Sequence, residues 1–180
     1  MEVSLISHQY DTLTRGTVAT AVPNPQQGLN YKAWVVPNNV GGVIPVPGIG
    51  GLKPHTPPNF IITATDIQVT EGKATISVAA GSKSFNPKEF WFGCVARTMQ
   101  GAVMLAVSCT VEVKGYATVN GPSVASKSFT FTPPFEPIAP VPMIRAQLPA
   151  SFNRALHHIT LQQDVLDSLW IDNLVYTLAK

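Results

Sequence analysis

Alternation between apolar and polar residues is the clearest pattern along this chain. Across residues 103–114 apolar side chains fall at almost every second position, namely Leu105, Val107, Cys109, Val111 and Val113. Successive side chains of a strand point to opposite faces, so this period of two predicts a strand that is buried on one face. Residues 29–36 and 156–162 alternate in the same way.

About ten or eleven short segments of this kind follow one another, separated by turn-forming residues such as Asn120-Gly121. Their number and spacing predict an all-β fold, a two-layer antiparallel β-sandwich. The length favours a single domain over residues 1–180. The expected helix is at most one turn, within residues 149–155.

Two segments are too rich in glycine and proline for regular structure. Residues 37–58 are predicted to form a long loop, and loops of that length are often functional. Residues 132–142 contain five prolines and are predicted to be an extended crossover between the two sheets.

Composition narrows the class of protein. Charged residues make up 12% and the net charge is +2 without a run of Lys or Arg, which speaks against nucleic-acid binding. No apolar run is long enough to span a membrane. The low charge and the many Thr, Ser, Pro and Asn residues favour a secreted, extracellular domain whose leader is absent from this sequence. A cytosolic protein without a leader is the alternative.

Cys94 and Cys109 flank a predicted turn at residues 99–101. If the flanking strands form a hairpin centred there, the two thiols lie opposite each other on the core face. In a secreted domain they would form a disulfide. The alternative is two buried free thiols that pack as small apolar groups.

The two ends of the chain resemble a group of small secreted fungal β-sandwich proteins of largely unknown function, with F-D-x-L near the start and I-D-N-L near the end. The matching segments are Tyr10-Asp11-Thr12-Leu13, residues 22–31, residues 85–94, Leu148-Pro149-Ala150-Ser151-Phe152, residues 159–161 and Ile171-Asp172-Asn173-Leu174. Two features depart from that pattern, namely Gln27 in place of an aromatic residue and the pair His157-His158. The group is similar to jelly-roll carbohydrate-binding modules of the galactose-binding-like type. The resemblance implies a jelly-roll-like β-sandwich and a structural Ca²⁺ near the chain ends.

The final strand, residues 169–176, is hydrophobic except for its acidic-amide pair. If the terminal strands are neighbours, Asp11, Asp172 and Asn173 are the candidate metal ligands, with two carboxylates and an amide carbonyl. Calcium takes six to eight oxygen ligands, so backbone carbonyls and water would complete the site. No cofactor is required for this fold. Alternatively, Asp11 caps a turn and the Asp172-Asn173 pair binds neighbouring backbone.

The candidate ligand-binding residues are aromatic: Tyr31, Trp34, Trp91 and Trp170. Sugar rings stack their C–H faces on indole, and an exposed Trp on a sheet needs a partner. The alternation places Trp34 and Trp91 opposite to apolar neighbours, so both are expected to be exposed. The alternative is that these rings pack within the sandwich.

No catalytic residues are identified. Motifs of hydrolases, metalloproteases and cysteine enzymes are absent from the sequence. His157 and His158 are adjacent within a predicted strand, so they are expected to point to opposite faces and not to chelate one ion.

The sequence therefore favours a secreted, non-catalytic binding module for a glycan at a cell wall or host surface. One alternative is a secreted effector or inhibitor that binds a protein partner through residues 37–58. The other is a small carbohydrate-active enzyme, which requires two carboxyl groups roughly 5–10 Å apart in one groove.

Overall fold

The computed structural model describes residues 3–8, 10, 13, 20–36, 52–56, 60–97, 104–134, 140–164 and 168–180. Within these residues the chain forms fifteen strands, one short α-helix and one 3₁₀ turn. The strands are β1 (Val3–His8), β2 (Thr20–Ala21), β3 (Leu29–Lys32), β4 (Val35–Val36), β5 (Leu52–Lys53), β6 (Ile61–Ala64), β7 (Ala74–Val78), β8 (Ser84–Arg97), β9 (Met104–Val107), β10 (Cys109–Tyr116), β11 (Ser123–Phe131), β12 (Val141–Pro142), β13 (Ile144–Gln147), β14 (His158–Gln163) and β15 (Ser168–Ala179).

Thirteen of these strands form two antiparallel sheets that pack face to face. The large sheet has eight strands in the order β13, β8, β15, β6, β4, β2, with β9 beside β8 and β1 beside β15. The small sheet has the order β11, β10, β14, β7, β3. Phe92 of β8 contacts both Phe129 and Phe131 of β11, with ring centroids 6.4 and 6.3 Å apart. The predicted two-layer antiparallel β-sandwich is therefore confirmed.

The strand predicted over residues 103–114 is in fact two strands in different sheets. β9 pairs with β8 in the large sheet, and β10 pairs with β11 and β14 in the small sheet. Because the chain changes sheets at Ser108, the side that faces the core also changes. Ala106 and Cys109 are both buried, whereas Leu105 is 39% exposed.

Residues 29–36 are divided in the same way. β3 belongs to the small sheet and β4 to the large sheet. Between them Ala33 has a φ of 60°, in the left-handed region that interrupts a strand. The predicted alternation is therefore wrong at Trp34, which lies in the crossover and is 1% exposed.

The predicted disulfide between Cys94 and Cys109 is present. Its position differs from the predicted hairpin, because Cys94 pairs with Val107 and Cys109 pairs with Phe131. The bond therefore joins the large sheet to the small sheet at the point where the chain crosses between them.

The helix α1 (Thr65–Glu71) differs from the expectation that helix is limited to one turn within residues 149–155. Asp66 lies in its first turn and accepts a hydrogen bond from the amide of Ile67. None of its residues is buried, and Val69 is 79% exposed.

The described residues contain no helix long and apolar enough to cross a membrane. The single turn expected within residues 149–155 is the 3₁₀ turn Ala150–Phe152.

The proline-rich segment lies between β11 of the small sheet and β13 of the large sheet. On the way β12 pairs in parallel with β5, which lies inside the predicted long loop. Residues 37–51, 57 and 58 of that loop lie outside the described residues.

The last strand, β15, is a central strand of the large sheet. β8 pairs with it along one edge. Along the other edge β6 pairs with Ser168–Ile171 and β1 pairs with residues 174–179. The two ends of the chain are therefore direct neighbours.

Candidate functional site

The outer face of the large sheet, which points away from the small sheet, carries a row of aromatic and charged side chains. Phe90 and Phe92 of β8 point toward the small sheet, so Trp91 between them points outward. Arg145 of β13 and Asp172 of β15 lie directly opposite Trp91. Directly opposite residues of antiparallel strands point to the same side, so these three form one outward row.

Part of this outer face is covered by residues 52–56 and by Phe60. Leu52 packs so closely on Gly93 that a Cβ at residue 93 would lie 2.7 Å from the Leu52 methyl carbons. Phe60 stacks on Trp170 with ring centroids 4.3 Å apart and planes 12° apart. The absence of a side chain at Gly93 thus leaves room for Leu52, and Trp170 beneath Phe60 is 1% exposed.

Asp172 anchors the same segment. Its Oδ2 accepts a 2.7 Å hydrogen bond from the Thr56 backbone amide, and the Thr56 hydroxyl lies 3.0 Å from the same oxygen. The carboxylate is fully buried. A buried charge is tolerated where hydrogen bonds replace its hydration, so the pairing with Thr56 explains one acidic residue within a hydrophobic strand.

Asn173 marks an irregularity in β15. Its φ of 52° lies in the left-handed region, which Asn adopts more readily than most residues. The pairing with β8 shifts between Asp172 and Val175. The Asn173 Oδ1 accepts a 2.7 Å hydrogen bond from the Ser7 hydroxyl of β1. The polar pair thus occurs where β15 bulges and its neighbour changes from β6 to β1.

These contacts bear on the predicted calcium ligands. The side-chain oxygens of Asp172 and Asn173 accept hydrogen bonds from Thr56 and Ser7, and Asp11 lies outside the described residues. The described residues contain no cluster of three or more His, Cys, Asp or Glu side chains. The arrangement fits a hydrogen-bonded anchor better than a cation site, and the structural calcium stays a prediction.

Trp91 forms the centre of a partly exposed cluster. The His55 ring stacks on it with centroids 4.0 Å apart and planes 13° apart. The Arg145 guanidinium carbon lies 5.8 Å from the Trp91 ring centroid. The Arg145 Nε donates a 2.9 Å hydrogen bond to Glu89, and the two side chains form an ion pair. These four residues, His55, Glu89, Trp91 and Arg145, are referred to below as the Trp91 patch.

The other three predicted ligand-binding residues are buried. Tyr31, Trp34 and Trp170 are at most 3% exposed. Their rings pack in the core, in the crossover after β3, or beneath Phe60. They therefore cannot stack on a ligand in this structure, and the expectation that Trp34 is exposed is wrong.

Tyr31 instead belongs to a buried polar cluster that sequence reasoning missed. The His8 Nδ1 lies 3.0 Å from the Tyr31 hydroxyl, which also accepts a 3.4 Å hydrogen bond from the Tyr10 hydroxyl. Burial lowers the pKa of His8 to about 4 and raises the pKa of both tyrosines. No pattern near His8 signals this contact, because its partner lies on the other sheet.

The adjacent histidines His157 and His158 do not have the geometry predicted for two neighbouring residues of one strand. His157 lies in the bend just before β14 and not within the strand. Its Nδ1 therefore approaches the Nδ1 of His158 to 3.4 Å. His158 also stacks on Tyr116 with planes 6° apart. Burial, and then the neighbouring His157, lower the pKa of His158 below its usual value.

Comparison with known proteins identifies relatives by fold alone. No protein-family model and no curated protein matches the chain. The crystal structure of a DUF4465 family protein from Bacteroides caccae is similar, with a TM-score of 0.54 and 11% identity over 98% of this chain and 99% of that chain. The K3 cleaved adhesin domain of Lys-gingipain from Porphyromonas gingivalis aligns over the same shares with a TM-score of 0.40 and 11% identity.

The similarity to the DUF4465 protein shows a shared β-sandwich fold and, at this identity, nothing about activity. The resemblance to secreted fungal proteins stays a prediction. The comparisons thus place the chain among β-sandwich proteins by its fold.

Proposed function

We propose that the protein is a secreted, non-catalytic binding module that holds a glycan at a cell wall or host surface through the Trp91 patch. The observation that supports this most directly is the position of Trp91. It is a partly exposed aromatic residue on the outer face of β8, and its neighbours β13 and β15 fix the backbone on both sides.

The chemistry of the patch suits a sugar. An indole offers a flat apolar face for the C–H groups of a pyranose. His55 now occupies a position parallel to that face, and its side chain is exposed. Because Thr56 is held by Asp172, the imidazole of His55 can swing aside while its backbone stays in place. A sugar ring would then stack where the imidazole lies.

The rim of the patch supplies hydrogen-bonding groups. Arg145 donates only and Glu89 accepts only, and both lie beside the indole. A sugar hydroxyl both donates and accepts, so this pair can bind adjacent hydroxyls. The disulfide between Cys94 and Cys109 supports an oxidising, extracellular environment.

The test is retention on chitin, glucan and cellulose, followed by a glycan array. Trp91→Ala should abolish binding to whichever glycan the wild type retains, because the stacking surface is lost. Tyr116→Ala is the matched control. Tyr116 is also a partly exposed ring stacked on a histidine, His158, but both residues lie in the small sheet, away from Trp91. It should bind like the wild type.

Failure of the wild type to bind any glycan, or equal binding by Trp91→Ala, would contradict the proposal. The predicted protein-binding role of residues 37–58 and the predicted carbohydrate-active enzyme remain predictions, because no contact among the described residues favours either.

A further inference from the structure

The histidine pair on the small sheet has the spacing of two ligands of one metal ion. The Nδ1 atoms of His157 and His158 are 3.4 Å apart. Nitrogens bound to a tetrahedral zinc ion at about 2.0–2.1 Å are about 3.3–3.4 Å from each other, the edge of the tetrahedron. The two ring planes meet at 84°, so the imidazoles are not stacked and both nitrogens can face a common point.

Backbone contacts hold the two residues in this arrangement. The His157 amide donates a 2.7 Å hydrogen bond to the Tyr116 carbonyl, and its own carbonyl accepts a 3.0 Å bond from the Val78 amide. His157 is thus fixed between β10 and β7 although it lies outside β14. Preorganised ligands lose little freedom when an ion binds.

The ring of His158 is held as well. It lies parallel to the Tyr116 ring, with centroids 4.4 Å apart. This stacking restricts rotation of the imidazole about its side-chain bonds. In the absence of an ion, one imidazole donates a hydrogen bond to the other through the same Nδ1 atoms.

We propose that His157 and His158 form a two-imidazole zinc site at the start of β14. Imidazole nitrogen is a preferred ligand of zinc, and the observed spacing is that of a tetrahedral shell rather than of a flat one. The described residues bring no third His, Cys, Asp or Glu side chain into such a group. Water or atoms of a binding partner can complete the shell of the ion.

This site is independent of the proposed glycan patch. His157 and His158 lie beside β10 and β7 of the small sheet, whereas Trp91 lies on β8 of the large sheet. Glycan binding and zinc binding can therefore succeed or fail separately.

The test is calorimetric titration of the chelator-treated protein with ZnCl₂. We expect one zinc ion per chain. His157→Gln and His158→Gln should each weaken binding by roughly 10- to 100-fold, at least the effect of losing an outer-shell partner of a metal site. Co²⁺ provides a second measurement, since a tetrahedral site gives intense visible absorption that both variants should lose.

Two controls separate the site from other effects. His55→Gln removes a histidine that is also stacked on an aromatic ring, and it should leave zinc affinity unchanged. Tyr116→Leu keeps both imidazoles but frees His158, and it should weaken binding by a smaller factor. Absence of zinc binding in the wild type, or equal binding by His157→Gln and His158→Gln, would overturn the proposal.

Discussion

At the scale of single residues, His8 shows how a core accommodates an ionisable group. It is 1% exposed and contacts Tyr31 of the opposite sheet through its Nδ1. The Tyr10 ring lies 4.2 Å from the imidazole, centroid to centroid. Burial lowers the pKa of His8 to about 4, so His8 is neutral in the folded protein at neutral pH.

This burial predicts acid sensitivity. The folded pKa of about 4 lies below the usual 6.5, so between these values the unfolded chain binds the proton and the folded chain does not. The stability due to neutral His8 is fully present above pH 6.5 and is lost as the pH falls toward 4. The expected loss is about 3 kcal/mol of unfolding free energy. Urea unfolding at several pH values measures it.

The variant His8→Gln isolates this contribution. It does not titrate, so the fall in stability between neutral pH and pH 4 should be smaller than in the wild type. His55→Gln removes an exposed histidine instead and should keep the wild-type dependence on pH. If His8→Gln and the wild type lose equal stability on acidification, His8 is not the group responsible.

At the scale of elements, the outer face of the large sheet depends on an anchor between β15 and residues 52–56. Thr56 and Asp172 are 116 positions apart in sequence. The hydrogen bonds between them hold the segment that carries His55 against the sheet. The bulge at Asn173 permits this anchor, because the residues of β15 before the bulge pair with β6 and those after it pair with β1.

Removing the anchor should destabilise the fold. Asp172→Ala leaves the Thr56 amide and hydroxyl without their buried acceptor, at a cost of about 2–4 kcal/mol. Hydrogen exchange of the Thr56 amide should accelerate in this variant. Ser7→Ala is the control, since it removes the single hydrogen bond to Asn173 and should cost about 1 kcal/mol.

The same variant distinguishes the anchor from the predicted calcium site. If hydrogen bonds alone stabilise the region, a calcium chelator leaves the wild-type Tm unchanged while Asp172→Ala lowers it. If calcium is bound, the chelator lowers the wild-type Tm and has no further effect on Asp172→Ala. Unchanged stability of Asp172→Ala in both conditions would contradict both interpretations.

At the scale of the whole molecule, the chain repeatedly leaves one sheet for the other. Ala33 and Ser108 mark two of these changes, and the proline-rich segment makes a third. Cys94 and Cys109 join the sheets next to the change at Ser108. The disulfide therefore fixes the point where the two layers must meet.

Loss of this disulfide should lower the stability of the entire sandwich. The two cysteines are 15 residues apart, and a loop of that length corresponds to about 3 kcal/mol of lost freedom in the unfolded chain. The double variant Cys94→Ala/Cys109→Ala should show this loss in urea unfolding. A reductant should destabilise the wild type and leave the double variant unaffected. A wild type that is equally stable with and without reductant would contradict the prediction.

Much of the fold could be predicted because strands have a local signature. The alternation around Val111, the turn at Asn120-Gly121 and the core-facing cysteines all follow from the sequence, and the structure confirms them. The helix Thr65–Glu71 was missed because a short exposed helix leaves no clear apolar stripe in the sequence.

The candidate site could be predicted only in part. Trp91 was identified correctly as an outward residue, because regular alternation continues on both sides of it. Trp34 was not, because it leaves its strand, and Trp170, a predicted ligand-binding residue, is covered by Phe60. The approach of His157 to His158 was missed because it depends on where β14 begins.

The sequence by itself determined the β-sandwich and the inward direction of Cys94 and Cys109. These follow from the period of two and from the need to bury apolar strands, both of which are local properties. Only the tertiary structure decided which sheet each strand joins, which indoles are covered, and that Asp172 binds Thr56. Those outcomes depend on contacts between residues far apart in the chain, and no local pattern records them.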